Sequence, residues 1–374
     1  MNEKHLKVLQ LGKFYPILGG VEKVAYELMV GLSERNVDCD MLCAAVKGAG
    51  QEIRINDHAR IFSCRTWLKV AATMIAPTMI VRLWRICRNY DIIHIHHPDP
   101  MAALALWMSG YRGRVILHWH SDIQKQRRLL KLYRPLQSWL LSRAEQIVGT
   151  SPIYLAESPF LQSVQRKTVC LPIGTDPVRP NPATVQALRA RYAGRKIVFS
   201  LGRLVAYKGY ASLIEAARYL DDRYVILIGG SGPLHDELQQ QIDRSGLRHR
   251  VKLVGRISDG ELPSYYGACD LFCLSSLQKT EAFGIVQIEA MSCGKPIVAT
   301  NIPQSGVSWV NAHGVSGLNV PPDSPRELAR AIEAVICREA IDGCYSAGAR
   351  RRYRELFTRE QMINKCLSIY RYER

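Results

Sequence analysis

Two short segments carry residue types suited to phosphate and sugar chemistry. The first is Ser200-Leu201-Gly202-Arg203-Leu204-Val205-Ala206-Tyr207-Lys208-Gly209, which leaves an apolar run and enters a helical pattern. It sets a planar guanidinium and a compact ammonium five positions apart at a strand-end loop, a pairing suited to a diphosphate. Taken alone, it reads equally well as two solvated surface cations. The second is Glu281-Ala282-Phe283-Gly284-Ile285-Val286-Gln287-Ile288-Glu289. Ile285, Ile288, Glu289 and Met291 have helical spacing, so a helix starts near Gly284. A glycine there lets the backbone come close to a ligand, and the free N–H groups of a helix start favour an anion. Glu281 falls at the helix mouth and Glu289 about two turns in. A carboxylate can accept two hydrogen bonds from a vicinal diol, such as a ribose or a hexose. The plainer reading is one acid near a cap and one on a helix surface.

Histidines form a third group. His94-Ile95-His96-His97 and His118-Trp119-His120-Ser121-Asp122 each end an apolar strand-like run. Such clusters can bind metal, but no cysteine or carboxylate completes an obvious ligand set, so no metal is expected. Asp38-Cys39-Asp40 has the spacing of a metal-binding acid pair, yet it opens a strand and is read as structural.

Alternating elements must position these groups. Short apolar runs at Leu6–Leu11, Met41–Val46, Ile92–Ile95, Val115–Leu117 and Gln146–Gly149 read as strands. Val21 to Leu32 and stretches near 70–88, 100–109 and 127–142 read as helices. Leu171-Pro172-Ile173-Gly174-Thr175-Asp176-Pro177, followed by Pro180 and Pro182, reads as a connector. The alternation then restarts, with strands at 196–201, 224–229, 251–254, 271–274 and 297–300 and helices between them. This predicts an α/β fold of two mainly parallel sheets covered by helices. The expected domains are 1–172 and 173–355, with a basic C-terminal helix, about 356–374, packing back on the first. Open parallel sheets bind ligands beyond the carboxyl ends of their strands, so a cleft between two such edges is the expected site.

Composition agrees. With 374 residues, 47% hydrophobic and 22% charged, disorder and low complexity are excluded. Eleven cysteines, odd in number, scattered and without a CxxC, indicate reduced thiols. No apolar run is long enough to span a bilayer, and the start, Met1 to Lys7, has no secretion-signal core. The formal charge of +17 favours anionic partners. It is uneven, since residues 60–143 hold fourteen Lys and Arg against three Asp. Lys125, Arg127, Arg128, Lys131 and Arg134 interleave with leucines, Tyr133 and Trp139, the pattern of a helix lying on a membrane surface. Residues 67–86 add Trp67, Leu68 and Trp84 beside Lys69, Arg82 and Arg85. The competing reading is a core-packed helix with a solvated basic face. Nucleic-acid binding is disfavoured, because no such motif is present and Glu281 and Glu289 would sit badly in a phosphate groove.

Gly202-Arg203 with Lys208-Gly209, followed by Glu281-x7-Glu289 within EAFGIVQIEAMSCGKPIVAT, resembles the retaining GT-B glycosyltransferases of family four, glycosyl transferases group one. Gly19-Gly20-Val21-Glu22 resembles that family's first glycine loop, and His120 its late-strand histidine. The likeness spans nearly the whole chain and implies two Rossmann-like domains facing each other across a cleft. It implies that Arg203 and Lys208 neutralise a nucleotide-sugar diphosphate and that Glu281 holds the transferred sugar. By the same likeness Ala282, Phe283, Gly284 and Ile285 line the donor, Glu289 binds its ribose, Gly19 and Gly20 close on the diphosphate, and His120 lines the sugar site. His118 stands as the alternative histidine. The linker departs from the family's pattern, with Ile173-Gly174-Thr175 where an Asn before the glycine and an Ile after it are commoner.

The implied activity is metal-independent transfer of a hexose from GDP-mannose or a UDP-hexose to a lipid-linked or glycan acceptor. The setting would be O-antigen, capsule or lipopolysaccharide synthesis on the inner face of the cytoplasmic membrane, with no cofactor. A nucleotide-sugar epimerase or a sugar-phosphate synthase on the same fold is the enzymatic alternative. A basic membrane-binding protein without activity is the other.

Overall fold

The structure, a computed structural model, describes residues 5–17, 20–70, 73–123 and 127–371, with side chains in the last stretch from residue 130. Gly19 and Lys125 lie outside the described residues, as do the side chains of Arg127 and Arg128. The chain forms two compact units, Met1–Ile173 with Arg359–Arg374, and Gly174–Thr358.

The first unit holds an eight-stranded sheet. Its order in space is Thr168–Cys170, Gln146–Gly149, Arg114–Trp119, Ile92–His97, Lys7–Tyr15, Asp38–Ala45, Ala59–Cys64 and Glu52–Asn56. All pairings are parallel except the last. Every residue of Ile92–His97 is buried, as expected for a strand covered by helices on both faces. The second unit holds a six-stranded parallel sheet, in the order Val251–Gly255, Tyr224–Gly229, Lys196–Leu201, Leu271–Leu274, Ile297–Thr300 and Gly317–Val320. Its core joins Val198, Ile226, Leu271 and Val298 of the strands to Leu213, Leu238 and Ile332 of the helices.

Local signals set the helix starts that follow the strands. Asp99 accepts from the backbone N–H groups of Met101 and Ala102, both at 3.1 Å, and so caps the helix Pro100–Ser109. Pro100 fills the first turn and Gly110, at φ 63°, ends it. The C-terminal helix Arg359–Arg371 belongs to the first unit. Arg359 pairs with Glu27 at 2.8 Å and Glu34 at 2.7 Å, and a Cβ on Gly31 would lie 2.5 Å from Ile363.

Several expectations are corrected. Residues 70–88 are not one helix. Leu68–Val70 and Thr73–Ile75 form an antiparallel hairpin, and the helix begins only at Thr78 and runs to Ile86. Val70, Thr73 and Ile75 are β-branched, and Pro77 stands immediately before the helix, where its fixed φ suits a helix start. The edge strands Glu52–Asn56 and Gly317–Val320 are additions, and the helix Pro182–Arg191 occupies part of the supposed connector. Asn181 caps that helix by accepting from Thr184 N–H at 3.1 Å, and Pro182 opens it. The basic helix Arg127–Arg143 is anchored in the first unit by Tyr133, Gln137, Leu140 and Leu141, so one face packs on the core. Lys131, Leu132 and Arg134 are exposed.

Candidate functional site

In the second unit the two sequence segments converge. Arg203 lies in the loop after the strand Lys196–Leu201, exposed. Lys208 closes the short turn Ala206–Lys208. Gly209 follows at φ 67°, where a Cβ would sit 2.0 Å from the Ser275 carbonyl, so only glycine permits this close return of the loop. The turn therefore delivers the Lys208 ammonium to Glu281, with Nζ to Oε2 at 2.5 Å. Both side chains are largely buried, at 11% and 12% exposure.

Hydrogen bonds fix the carboxylate and its loop. Ser276 Oγ donates to Glu281 Oε2 at 3.0 Å. Ser305 Oγ donates to the Glu281 carbonyl, and Gly306 N–H to the Ala282 carbonyl at 2.9 Å. The helix Ile285–Ser292 then starts behind Gly284, which takes the left-handed conformation at φ 76° as its N-cap. Phe283 is buried and packs edge-on to Phe357. Lys208, Glu281 and this helix start are thus held together. Glu289, further along the same helix, accepts from Tyr266 Oη at 2.7 Å. Burial, then the neighbouring Glu289, pushes the Tyr266 hydroxyl well above its ordinary range, so it stays a donor. Ser276, Ser305 and Tyr266 were not found from sequence, since a lone serine or tyrosine in an apolar context carries no distinguishing signal.

The first unit gathers four of its histidines on two neighbouring strands, His94, His96 and His97 on Ile92–His97 and His118 on Arg114–Trp119. His120 follows the carboxyl end of the second, with its N–H on the His97 carbonyl at 3.1 Å. His118 lies inside the strand, fully buried. A hydrogen-bonded chain joins the interior to His120. Gln10 Nε2 donates to Tyr370 Oη at 3.1 Å, Gln10 Oε1 meets His96 Nε2 at 2.8 Å, and His96 Nδ1 meets His120 Nε2 at 2.8 Å. With Gln10 in this orientation the proton order follows. His96 carries its proton on Nε2, so His120 donates through Nε2 and keeps an unprotonated Nδ1. Burial lowers the basicity of His94 and His97 to about 3 and puts His96, His118 and His120 well below the ordinary imidazole range, so all five rings are neutral at pH 7. Gln10, a polar residue inside the run Leu6–Leu11, was the visible signal for this chain.

His94, His96 and His118 each bring one nitrogen within 4.8 Å of the others. Their rings stack, with interplanar angles of 6° for His94–His96 and 27° for His96–His118. Stacking sets the in-plane lone pairs of neighbouring rings in near-parallel planes. Both nitrogens of His96 are already hydrogen-bonded. Asp122 has a structural part too: its Oδ1 accepts from Trp119 Nε1 at 2.9 Å and Ser158 Oγ at 2.7 Å, which pins the loop after His120. Asp38 pairs with His5 and His58, and Asp40 with Arg60 and Tyr90 Oη.

Gly20, at φ 64°, caps the helix Val21–Ser33, and Glu22 in its first turn is buried, which raises its acid range. Among the described residues no helix is long and apolar enough to cross a membrane. All eleven cysteines are free thiols, most of them buried.

Residues 186–351 match the family Glycosyl transferases group 1, and residues 18–179 match Glycosyltransferase Family 4. O-antigen chain mannosyltransferase C of Escherichia coli is 30% identical over 369 residues, 98% of each chain. D-rhamnosyltransferase WbpZ of Pseudomonas aeruginosa is 30% identical over 358 residues, 94% of this chain and 92% of that one. The crystal structure of HepE from Anabaena in complex with UDP superposes with a TM-score of 0.78 at 22% identity, covering 98% of this chain and 99% of that one. Two helix-covered parallel sheets, full-length kinship and both family matches lead to one conclusion: the chain is a glycosyltransferase of family 4, the group 1 glycosyl transferases, with the GT-B fold.

Proposed function

We propose that the protein is a retaining, metal-independent hexosyltransferase that elongates a lipid-linked glycan of a cell-surface polysaccharide, with GDP-mannose as the favoured donor. The observation that carries the reading is the Lys208–Glu281 pair beside the Gly284 helix start. Kinship to an O-antigen mannosyltransferase supports the acceptor class and the sugar.

In this reading the donor diphosphate takes the Lys208 ammonium from Glu281 and also meets Arg203 and the helix N–H groups. Glu281, released, accepts from hydroxyls of the sugar, while Ala282, Phe283, Gly284 and Ile285 border it. Glu289 accepts from the ribose diol. The bond from the anomeric carbon to the β-phosphate oxygen breaks through an oxocarbenium-like state. Negative charge grows on the departing phosphate, where two cations and a helix start stabilise it, so no metal ion is needed. The acceptor oxygen bonds the anomeric carbon on the same face, and its proton passes to the departing phosphate. Gly19 and Gly20 belong to the diphosphate contacts, and His120 offers its unprotonated Nδ1 to a sugar hydroxyl.

The basic stretch Lys125, Arg127, Arg128, Lys131 and Arg134, which runs into the helix Arg127–Arg143, is proposed to hold the protein on anionic lipid at the inner membrane face, each cation contributing about 1 kcal/mol. The test is to supply radiolabelled GDP-mannose and UDP-hexoses with a prenyl-diphosphate-linked oligosaccharide. The anomeric configuration of the product is then read by NMR. Configuration matching the donor supports the reading. An inverted product, or a trapped covalent glycosyl-enzyme, contradicts the mechanism.

A further inference from the structure

A cluster of metal-type side chains lies at the amino edge of the first unit's sheet, apart from the histidines of its interior. The strands Lys7–Tyr15 and Asp38–Ala45 run parallel, with Lys7 opposite Asp38. The Asp38 N–H donates to the Leu6 carbonyl at 3.1 Å, and the Cys39 N–H to the His58 carbonyl at 2.8 Å. This register brings His5, just before the first strand, and His58, just before the strand Ala59–Cys64, to the Asp38 carboxylate. His5 Nε2 lies 3.0 Å from Asp38 Oδ2, and His58 Nδ1 2.8 Å from Asp38 Oδ1. One nitrogen of each ring and a carboxylate oxygen all fall within 4.8 Å of one another. Asp40, two residues on, is turned to Arg60 and Tyr90. The partners of Asp38 are therefore histidines supplied by sheet register, and not the acid that shares its sequence motif.

The donor types are those of a transition-metal site. Two imidazole nitrogens and one carboxylate are the ligands of an open zinc site, whose fourth position goes to water. Mg²⁺ and Ca²⁺ favour oxygen ligands alone. The spacing is also close to that needed. Atoms bound about 2.0–2.1 Å from a tetrahedral ion stand about 3.3 Å apart, so contacts of 2.8 and 3.0 Å have only to open by a few tenths of an ångström. The two rings are tilted at 50° with centroids 5.8 Å apart, unlike the near-parallel His94–His96 stack.

Access and order complete the case. The side chains of His5, His58 and Asp38 are 49%, 35% and 33% exposed, so an ion can reach them. A polar cavity of about 350 Å³, lined by Asp38, Asp57 and His58 among others, adjoins them and has room for the water ligand. The turn that carries His58 is held in place: the His58 N–H donates to Asn56 Oδ1 at 2.9 Å, and Asn56 Nδ2 to Ser33 Oγ at 2.8 Å. A ligand held in advance loses less freedom on binding.

We propose that His5, Asp38 and His58 bind one zinc ion, which clamps the start of the first strand and the turn at His58 onto the strand Asp38–Ala45. Without the ion, each neutral ring donates its N–H to the carboxylate. With it, the ring proton moves to His5 Nδ1 and His58 Nε2, and the near nitrogens take the metal. His120 follows the carboxyl end of a parallel strand in the same sheet. The clamp thus lies at the opposite edge, serves the fold, and is independent of the transferase reading.

The test is calorimetric titration of the EDTA-stripped full chain with zinc chloride at about pH 7.5, where imidazole is mostly neutral. Expected are one equivalent bound, no displacement by excess Mg²⁺, and a thermal midpoint that rises with zinc. His5→Ala and His58→Ala should each weaken binding at least about tenfold, the least that losing even a residue orienting a ligand costs. Together they should remove the rise in midpoint, and Asp38→Asn should do the same. Zinc-free melts of the variants check that each folds. The chain also carries eleven free thiols, so Co²⁺ is titrated in parallel. Its first equivalent should show weak visible bands and no intense near-ultraviolet thiolate band. No zinc binding, affinity unchanged in both histidine variants, a thiolate band on the first equivalent, or binding lost in His118→Phe in their place would overturn the proposal.

Discussion

Lys208 and Glu281 form a contact that the proposed donor would rearrange. A largely buried ion pair with one partner removed leaves an uncompensated charge. Glu281→Ala should therefore cut transfer by at least about 100-fold, while nucleoside diphosphate binding, measured by calorimetry, changes little. Lys208→Ala should weaken that binding by about 1.5–3 kcal/mol, the worth of a charged hydrogen bond. Affinity unchanged in Lys208→Ala would remove it from the phosphate site. His118 makes the opposite case. Neither of its ring nitrogens has a hydrogen-bond partner among the described residues, so His118→Phe should leave stability within about 1 kcal/mol of the parent or raise it. His96→Phe would strand Gln10 and His120 and should cost about 1–3 kcal/mol by chemical denaturation. Glu281 and Gly284 stand in one local pattern, but that Lys208, 73 positions away in the chain, lies beside them was implied only by the family resemblance. Gln10 and Tyr370 are brought together across 360 positions, a pairing that no local pattern encodes.

Elements show the same division. The strands at the centre of each sheet were readable because they are short, apolar and bounded by turns. The edge strand Glu52–Asn56 alternates polar and apolar residues and was passed over, although alternation is the signature of a half-buried strand. The stretch 67–86 misled because a β-hairpin and a helix run together there without a glycine, and its apolar content fits either period. The loop between the strand Lys196–Leu201 and the helix Tyr210–Ala216 depends on Gly209. Gly209→Ala forces a left-handed conformation on a residue with a Cβ and a backbone clash with Ser275. It should lower stability by about 1–3 kcal/mol and nucleotide affinity with it, because the same turn aims Lys208. Neutralising Arg127, Arg128 and Lys131 together should release the protein from anionic vesicles in sedimentation and spare nucleotide binding. Retention on vesicles would contradict the membrane role of that helix.

At the scale of the whole molecule, five buried neutral histidines make the first unit sensitive to acid. An unfolded histidine takes up a proton near pH 6.5, whereas His94 and His97 resist protonation to about 3 in the fold. Between those values the unfolded chain binds protons that the folded chain does not, so stability falls as pH falls from 6.5. Asp99 acts the other way. Burial raises its carboxyl to about 7, so the folded state holds a proton that the unfolded chain releases near 3.8, which favours the fold as pH falls through that window. Glu22, its carboxyl also raised by burial, acts in the same direction, but two carboxyls oppose five histidines, so the net slope remains acid-destabilising. Thermal melts should show the midpoint dropping between pH 6.5 and 5, with a shallower drop in His118→Phe. A midpoint flat across that range would contradict the neutral stack. The C-terminal helix contributes Tyr370 to this interior and Arg359 to the ion pairs with Glu27 and Glu34, so ending the chain at Thr358 should destabilise the first unit.

The central claim is that the Lys208–Glu281 site activates a nucleotide sugar by charge alone. The most direct measurement is release of free nucleotide from GDP-mannose, UDP-glucose, UDP-galactose and UDP-N-acetylglucosamine with EDTA present, for the parent and for Glu281→Ala. The account predicts slow release from one donor, unaffected by EDTA and absent in the variant. Release that needs a divalent ion, or that survives in Glu281→Ala, would contradict it.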